Sequence, residues 1–131
     1  MTAHFMLIQA CYTDQELSRR RLKIARHTSV PSLSYQTSRP IVHLVQNPGD
    51  PHAAAREEMY RIAGCEVRVL LRESWKLYGE DWELPGGRKV ISRIDDDDVI
   101  CKEFCRRTAQ AAPNEGDVAL IWPVGYVLWR D

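Results

Sequence analysis

Four aspartates stand in a row at Asp95–Asp98, between the strand-like run "KVISRI" and the helix-like run "VICKEFC". Neighbouring carboxylates ~5 Å apart repel by roughly 3 kcal/mol at an effective dielectric of ~20, so solvent, a helix N-terminus, a basic neighbour or a cation must offset the repulsion. A hard divalent cation is the sharpest chemical reading. Mg²⁺ and Mn²⁺ take oxygen ligands, commonly one or two carboxylates completed by water and substrate phosphates. In an extended segment Asp95 and Asp97 point to the same side, and a turn just after the strand aims both at one ion. Asp98 is placed to cap the helix that follows by accepting its free N–H groups. Asp96 faces the other way, toward solvent or a basic partner. The blander reading is an acidic helix start with solvated aspartates, which accounts for one or two of the four better than for the run. A D-x-D pattern also occurs in several phosphate-handling folds, hydrolases and nucleases among them, so alone it names no reaction.

The elements that must position these acids follow from hydrophobic period and punctuation. A strand is expected over 4–11, then a T-x-x-E capping box at Thr13 and Glu16 opening a helix over 14–28, with Pro31 ending or kinking it. A second strand follows over 40–46. Asp50 as N-cap, Pro51 at the first helical position and Gly64 as the left-handed cap frame a helix over 51–63. A third strand runs over 65–72, and the aromatic, aperiodic Ser74 to Arg88 reads as a long loop, with Trp75, Tyr78 and Trp82 packing it down or stacking on a ligand. A fourth strand over 89–95 leads through the aspartates to a helix over 98–112, with Ile100, Cys101, Phe104, Cys105, Thr108 and Ala111 on one face. Two further strand-like pieces lie around Pro123 to Gly125. Strands alternating with helices predict an α/β fold, a mostly parallel sheet with helices on both faces. Such sheets bind ligands at the carboxyl ends of their strands, where the aspartate run falls.

Composition narrows the partners. The chain has 131 residues, enough for one domain with a real core, and Lys+Arg and Asp+Glu both number 18. No overall field favours nucleic acid or a membrane surface, and no apolar run approaches a membrane span or a signal peptide. Cys11, Cys65, Cys101 and Cys105 form no CxxC and share no zinc-like spacing with His27, His43 or His52, which suits reduced thiols in a cytoplasmic protein. The basic run Ser18 to His27 reads mainly as a solvated helix face, with Arg20 or Arg21 the residue expected to turn toward the acids.

Three stretches together resemble a known family. "PSLSYQTSRPIVHLV" is similar to a P-S-L-x-x-Q-T followed by a strand, "SRIDDDD" to an R-[LI]-D-x-D-D signature, and "ALIWPVGYVLW" to a strand, glycine and aromatic segment beyond it. In this order they resemble the rhamnosyltransferase family of bacterial and phage proteins, related to GT-A-type glycosyltransferases with a Rossmann-like fold. The resemblance implies a transferase that binds a nucleotide-sugar donor and passes the sugar to an unknown glycan or other acceptor. It implies that Asp95 and Asp97 hold Mn²⁺ or Mg²⁺ against the donor diphosphate, that Asp98 is the third acid of the site, and that Arg93 contacts the donor phosphates or pairs with an aspartate. It assigns no catalytic residue here, since the second half of GT-A enzymes usually supplies the catalytic base. GT-A enzymes are commonly about twice this long, so the chain looks like the donor-binding half, truncated at Asp131, and the aromatic surface of Trp122, Tyr126 and Trp129 then suits the core or a homo-oligomer interface. The alternatives are a catalytically inert binding or assembly module of the same fold, and a metal-dependent phosphate hydrolase or nuclease.

Overall fold

The computed structural model describes residues 2–73 and 88–113. Four strands, β1 (Thr2–Ala10), β2 (Ile41–Gln46), β3 (Glu66–Leu71) and β4 (Arg88–Arg93), form one sheet in the order β3-β2-β1-β4. Every pairing is parallel, with Phe5 beside Ile41, Val42 beside Val67 and Thr2 beside Arg88. β1 lies between two neighbours, and its run "HFMLI" is correspondingly apolar, with Phe5, Met6 and Ile8 fully buried. The expected long loop falls almost wholly on residues 74–87, and the expected last strands on 114–131. Both segments, with their tryptophans and tyrosines, lie outside the described residues.

Four helices are described, α1 (Gln15–His27), α2 (Ser29–Ser34), α3 (Ala53–Ile62) and α4 (Phe104–Ala111). All four pack on one face of the sheet. Ala25, Val30, Leu33, Tyr60 and Cys105 meet the side chains of Met6, Ile8, Ala10, Val42, Leu44 and Val67 there. The opposite face carries the smaller cluster of Leu7, Cys11 and Val45, with Leu70 against it. Helices on both faces, the expectation from the alternating pattern, are therefore not what the described residues show. For α1, α2 and α3 the reason is topological: β1 to β2 and β2 to β3 step in the same direction, and right-handed crossovers then keep their helices on one side. The step that reverses direction, β3 to β4, crosses through residues outside the description.

Local punctuation was partly redistributed. α1 is capped by Asp14, whose side chain accepts the Leu17 N–H at 2.9 Å, so the Thr13 and Glu16 capping box does not form; Glu16 pairs with Arg19 and Arg20 instead. Pro31 sits in the first turn of α2, where its missing N–H has no intrahelical acceptor to lose, and the chain breaks before it at Thr28. Asp50 is not the N-cap of α3, a position held by His52, but its Oδ1 still accepts the His52 N–H at 2.9 Å. Gly64 follows α3 at φ 91°, the left-handed turn that favours glycine. No described helix is long and apolar enough to cross a membrane.

Candidate functional site

The strand order reverses between β1 and β4. A crevice lies at the carboxyl ends of these two strands, between Gln9 and Tyr12 on one side and Asp95 and Asp96 on the other. Beyond β4, Ile94 points into the core at 6% exposure, and the next four residues make a tight turn. The Asp98 N–H donates to the Asp95 carbonyl at 3.1 Å, and the Asp98 side chain accepts the Asp95 N–H at 2.8 Å. This reciprocal closure brings one carboxylate oxygen each from Asp95, Asp97 and Asp98 within 4.8 Å of one another, all three residues exposed.

The role expected of Asp98 at a helix start needs correction. α4 begins only at Phe104, and Asp98 caps the turn, not the helix. The intervening chain is held by Gln36 and Thr37: Gln36 Nε2 donates to the Cys101 carbonyl at 2.7 Å, and the Thr37 N–H donates to Lys102 at 2.9 Å. Gln36 Oε1 accepts the Cys105 N–H at 3.0 Å, which satisfies a free donor of the first helical turn from another part of the chain. That distant acceptor fixes where the helix can begin.

Asp96 is turned inward and is 1% exposed, so of its two expected surroundings the basic partner is the one realised. Arg21, from α1, donates Nη2 to Asp96 Oδ1, and the Tyr12 hydroxyl donates to Asp96 Oδ2 at 2.7 Å. The backbone carbonyl of Asp96 accepts from Ser29 Oγ at 2.8 Å and Thr28 Oγ1 at 3.1 Å, at the junction of α1 and α2. The turn is thus pinned through Asp96, which leaves the carboxylates on either side of it facing out. Of the two candidate arginines, Arg21 reaches the site, while the side chain of Arg20 is 70% exposed and pairs with Glu16.

Arg21 has two further bonds, Nη1 to Asp97 Oδ2 at 3.0 Å and Nε to the Tyr12 oxygen at 3.1 Å. Burial works against its charge, but the bonds to Asp97 and Tyr12 outweigh it and raise its pKa further above the usual arginine value. Burial first, and then the Asp96 carboxylate, push the Tyr12 phenol far above the ordinary tyrosine range, so it stays a proton donor. The two ends of the Arg21 bridge differ in strength. An ion pair as exposed as Arg21–Asp97, where the acid is 42% exposed, contributes about 0–1 kcal/mol, whereas stripping a buried carboxylate such as Asp96 of its partner costs about 3–5 kcal/mol. Arg93 stands at the margin, 3.9 Å from Asp95 with the two side chains 63% and 62% exposed, a contact that holds little in water. Two arginines against four carboxylates leave the turn with excess negative charge.

The crevice beside the turn is lined by Gln9, Tyr12, Leu17, Arg21, Asp95 and Asp96. A second depression, lined by Thr13, Gln15, Asn47 and Asp50 among others, shares Tyr12 as a wall. Behind Tyr12 lies Arg56, fully buried, its guanidinium carbon 5.2 Å from the centre of the Tyr12 ring. Arg56 donates to Gln46 Oε1 at 2.7 Å, Asp50 Oδ2 at 3.0 Å and Ser18 Oγ at 2.7 Å, and Ser18 donates on to Asp50. Burial alone would raise the Asp50 carboxyl, but the bonds from Ser18, the His52 N–H and Arg56 bring it below the ordinary aspartate value.

Tyr12, Gln9 and Arg56 were not singled out from the sequence. Tyr12 was discoverable, because it stands two residues past a central strand at its carboxyl end. Arg56 carried no local signal, being one arginine in a helix with several charges. The donor set fits a hard cation: three carboxylates and no sulfur or imidazole, with Asp97 and Asp98 each keeping a second oxygen beyond the one bonded to Arg21 or in the turn. Searched against protein-family models, curated proteins and solved structures, the chain matches none of them.

Proposed function

We propose that this domain binds a nucleotide-sugar through a divalent cation and serves sugar transfer, in the manner of a GT-A-type glycosyltransferase. The observation that carries this reading is the convergence of Asp95, Asp97 and Asp98 at the carboxyl end of β4, beside the crevice where the strand order reverses. The sugar itself comes from the resemblance of "SRIDDDD" and its flanking stretches alone. In this reading Asp95 and Asp97 hold Mn²⁺ or Mg²⁺, Asp98 completes the acidic set and keeps the turn closed, and Arg93, free to swing, meets the donor phosphates. The ion, when bound, neutralises the diphosphate and the charge that develops as the nucleoside diphosphate leaves. The hydrolase or nuclease alternative would favour an additional histidine or glutamate from another strand end, and among the described residues the acidic group contains only the three aspartates.

One observation favours the inert-module alternative. Arg21 already spans Asp96 and Asp97, so part of the charge is compensated without any ligand. Thermal melting separates the readings. Saturation at ~100 times the dissociation constant stabilises by about 2.7 kcal/mol. A shift that needs both Mn²⁺ and a nucleoside diphosphate, and that Asp97→Asn abolishes, supports the proposal. No shift with any nucleotide overturns it, and a shift without sugar transfer from any donor assigns a binding module.

A further inference from the structure

Arg21 lies with its guanidinium against the two faces of the acidic turn at once. One arm holds the buried Asp96 and the other holds the exposed Asp97, whose remaining neighbours in the cluster are Asp95 and Asp98. The two contacts are not equivalent. Asp96 is sealed from water and depends on Arg21 and Tyr12 for its compensation, whereas Asp97 can exchange a guanidinium for water or an ion at little cost. Arg21 also lines the crevice, so the arm that holds Asp97 is next to the space a ligand would enter.

We infer that Arg21 is a resident counter-cation that exchanges partners: its Nη1 donates to Asp97 when no ion is bound and, once the Asp97 carboxylate turns away to a divalent ion, donates from the same place to the anionic group of the second ligand. This rests on the proposed cation site and adds to it an order of binding, ion before diphosphate, and a residue that couples the two. Nε and Nη2 stay on Tyr12 and Asp96 throughout, so the turn does not move as a whole. The planar fork of arginine is what permits the division of labour, since its N–H groups point in fixed, separate directions.

The test is a titration of Mn²⁺ alone, and of Mn²⁺ with a saturating nucleoside diphosphate, into the parent, Arg21→Lys and Arg21→Gln. Lysine keeps a charge for Asp96 but cannot span to Asp97 in the same way, which guards against the glutamine variant failing to fold. The expected result is Mn²⁺ alone binding Arg21→Lys about two- to fivefold more tightly than the parent, the range an exposed ion pair carries, while the enhancement of Mn²⁺ affinity by the diphosphate falls. A purely structural role for Arg21 would weaken ion binding and could not tighten it. Unchanged or weaker Mn²⁺ binding to Arg21→Lys, with the parent binding the ion, overturns this inference and leaves the cation site standing. A parent that binds no Mn²⁺ overturns both.

Discussion

Asp96 and Asp98 share a side chain and lie two positions apart, yet they do opposite work. Asp98 spends one oxygen on the N–H of Asp95 at the surface, while Asp96 is buried against Arg21 and Tyr12. Replacing Asp98 by alanine should therefore cost about 0.5–1.5 kcal/mol, the net value of one hydrogen bond. Asp96→Ala should cost about 3–5 kcal/mol, because it leaves a partly buried guanidinium and a partly buried phenol without their acceptor. Urea unfolding of the two variants checks this, and equal losses would show that Asp96 is not the anchor. The aspartate run itself was legible in the sequence, as was the convergence of Asp95 and Asp97. The inward rotation of Asp96 was not, because the residues that dictate it, Arg21 and Tyr12, are 75 and 84 positions away along the chain.

The helices are tied to the sheet by polar residues as well as apolar ones. Arg56 joins α3 to the end of β2 through Gln46 and to α1 through Ser18, with Asp50 as its counter-ion. Because the folded Asp50 carboxyl titrates below its unfolded value, its contribution is present above the ordinary aspartate range and is lost as pH falls through the lower, folded value. Arg56→Met should flatten that acid limb of the stability curve, since one of the influences depressing Asp50 is gone, and should destabilise at neutral pH, where Asp50 is left charged and buried. Unfolding midpoints between about pH 7 and pH 3 read both effects, and an acid limb identical to the parent's would remove Arg56 from the account. The positions of α1 and α3 were readable from the punctuation at their ends. The late start of α4 was not, because it depends on Gln36 supplying an acceptor to Cys105 from 69 positions away.

In the molecule as a whole, β1 is the strand on which everything else registers, paired on both sides and buried. Its amides from Phe5 to Ile8 should exchange hydrogen more slowly than those of β3, which has a paired neighbour only at β2 among the described strands. Faster exchange in β1 than in β3 would contradict the observed order. That the sheet is parallel was legible in the alternation of strands and helices. The order β3-β2-β1-β4 and the gathering of all four described helices on one face were not, since both follow from long-range pairing and crossover handedness. The web around Tyr12 spans the same distances: its hydroxyl meets Asp96 and Arg21, its ring covers Arg56, and Arg56 holds Asp50. Each of these five side chains compensates a buried or half-buried neighbour. In the descent of such a chain, positions 12, 21, 50, 56 and 96 are therefore bound to one another's history: a change at one is tolerated only where its partners change with it, while Asp95 and Asp97, facing outward, are free to drift unless a ligand keeps them.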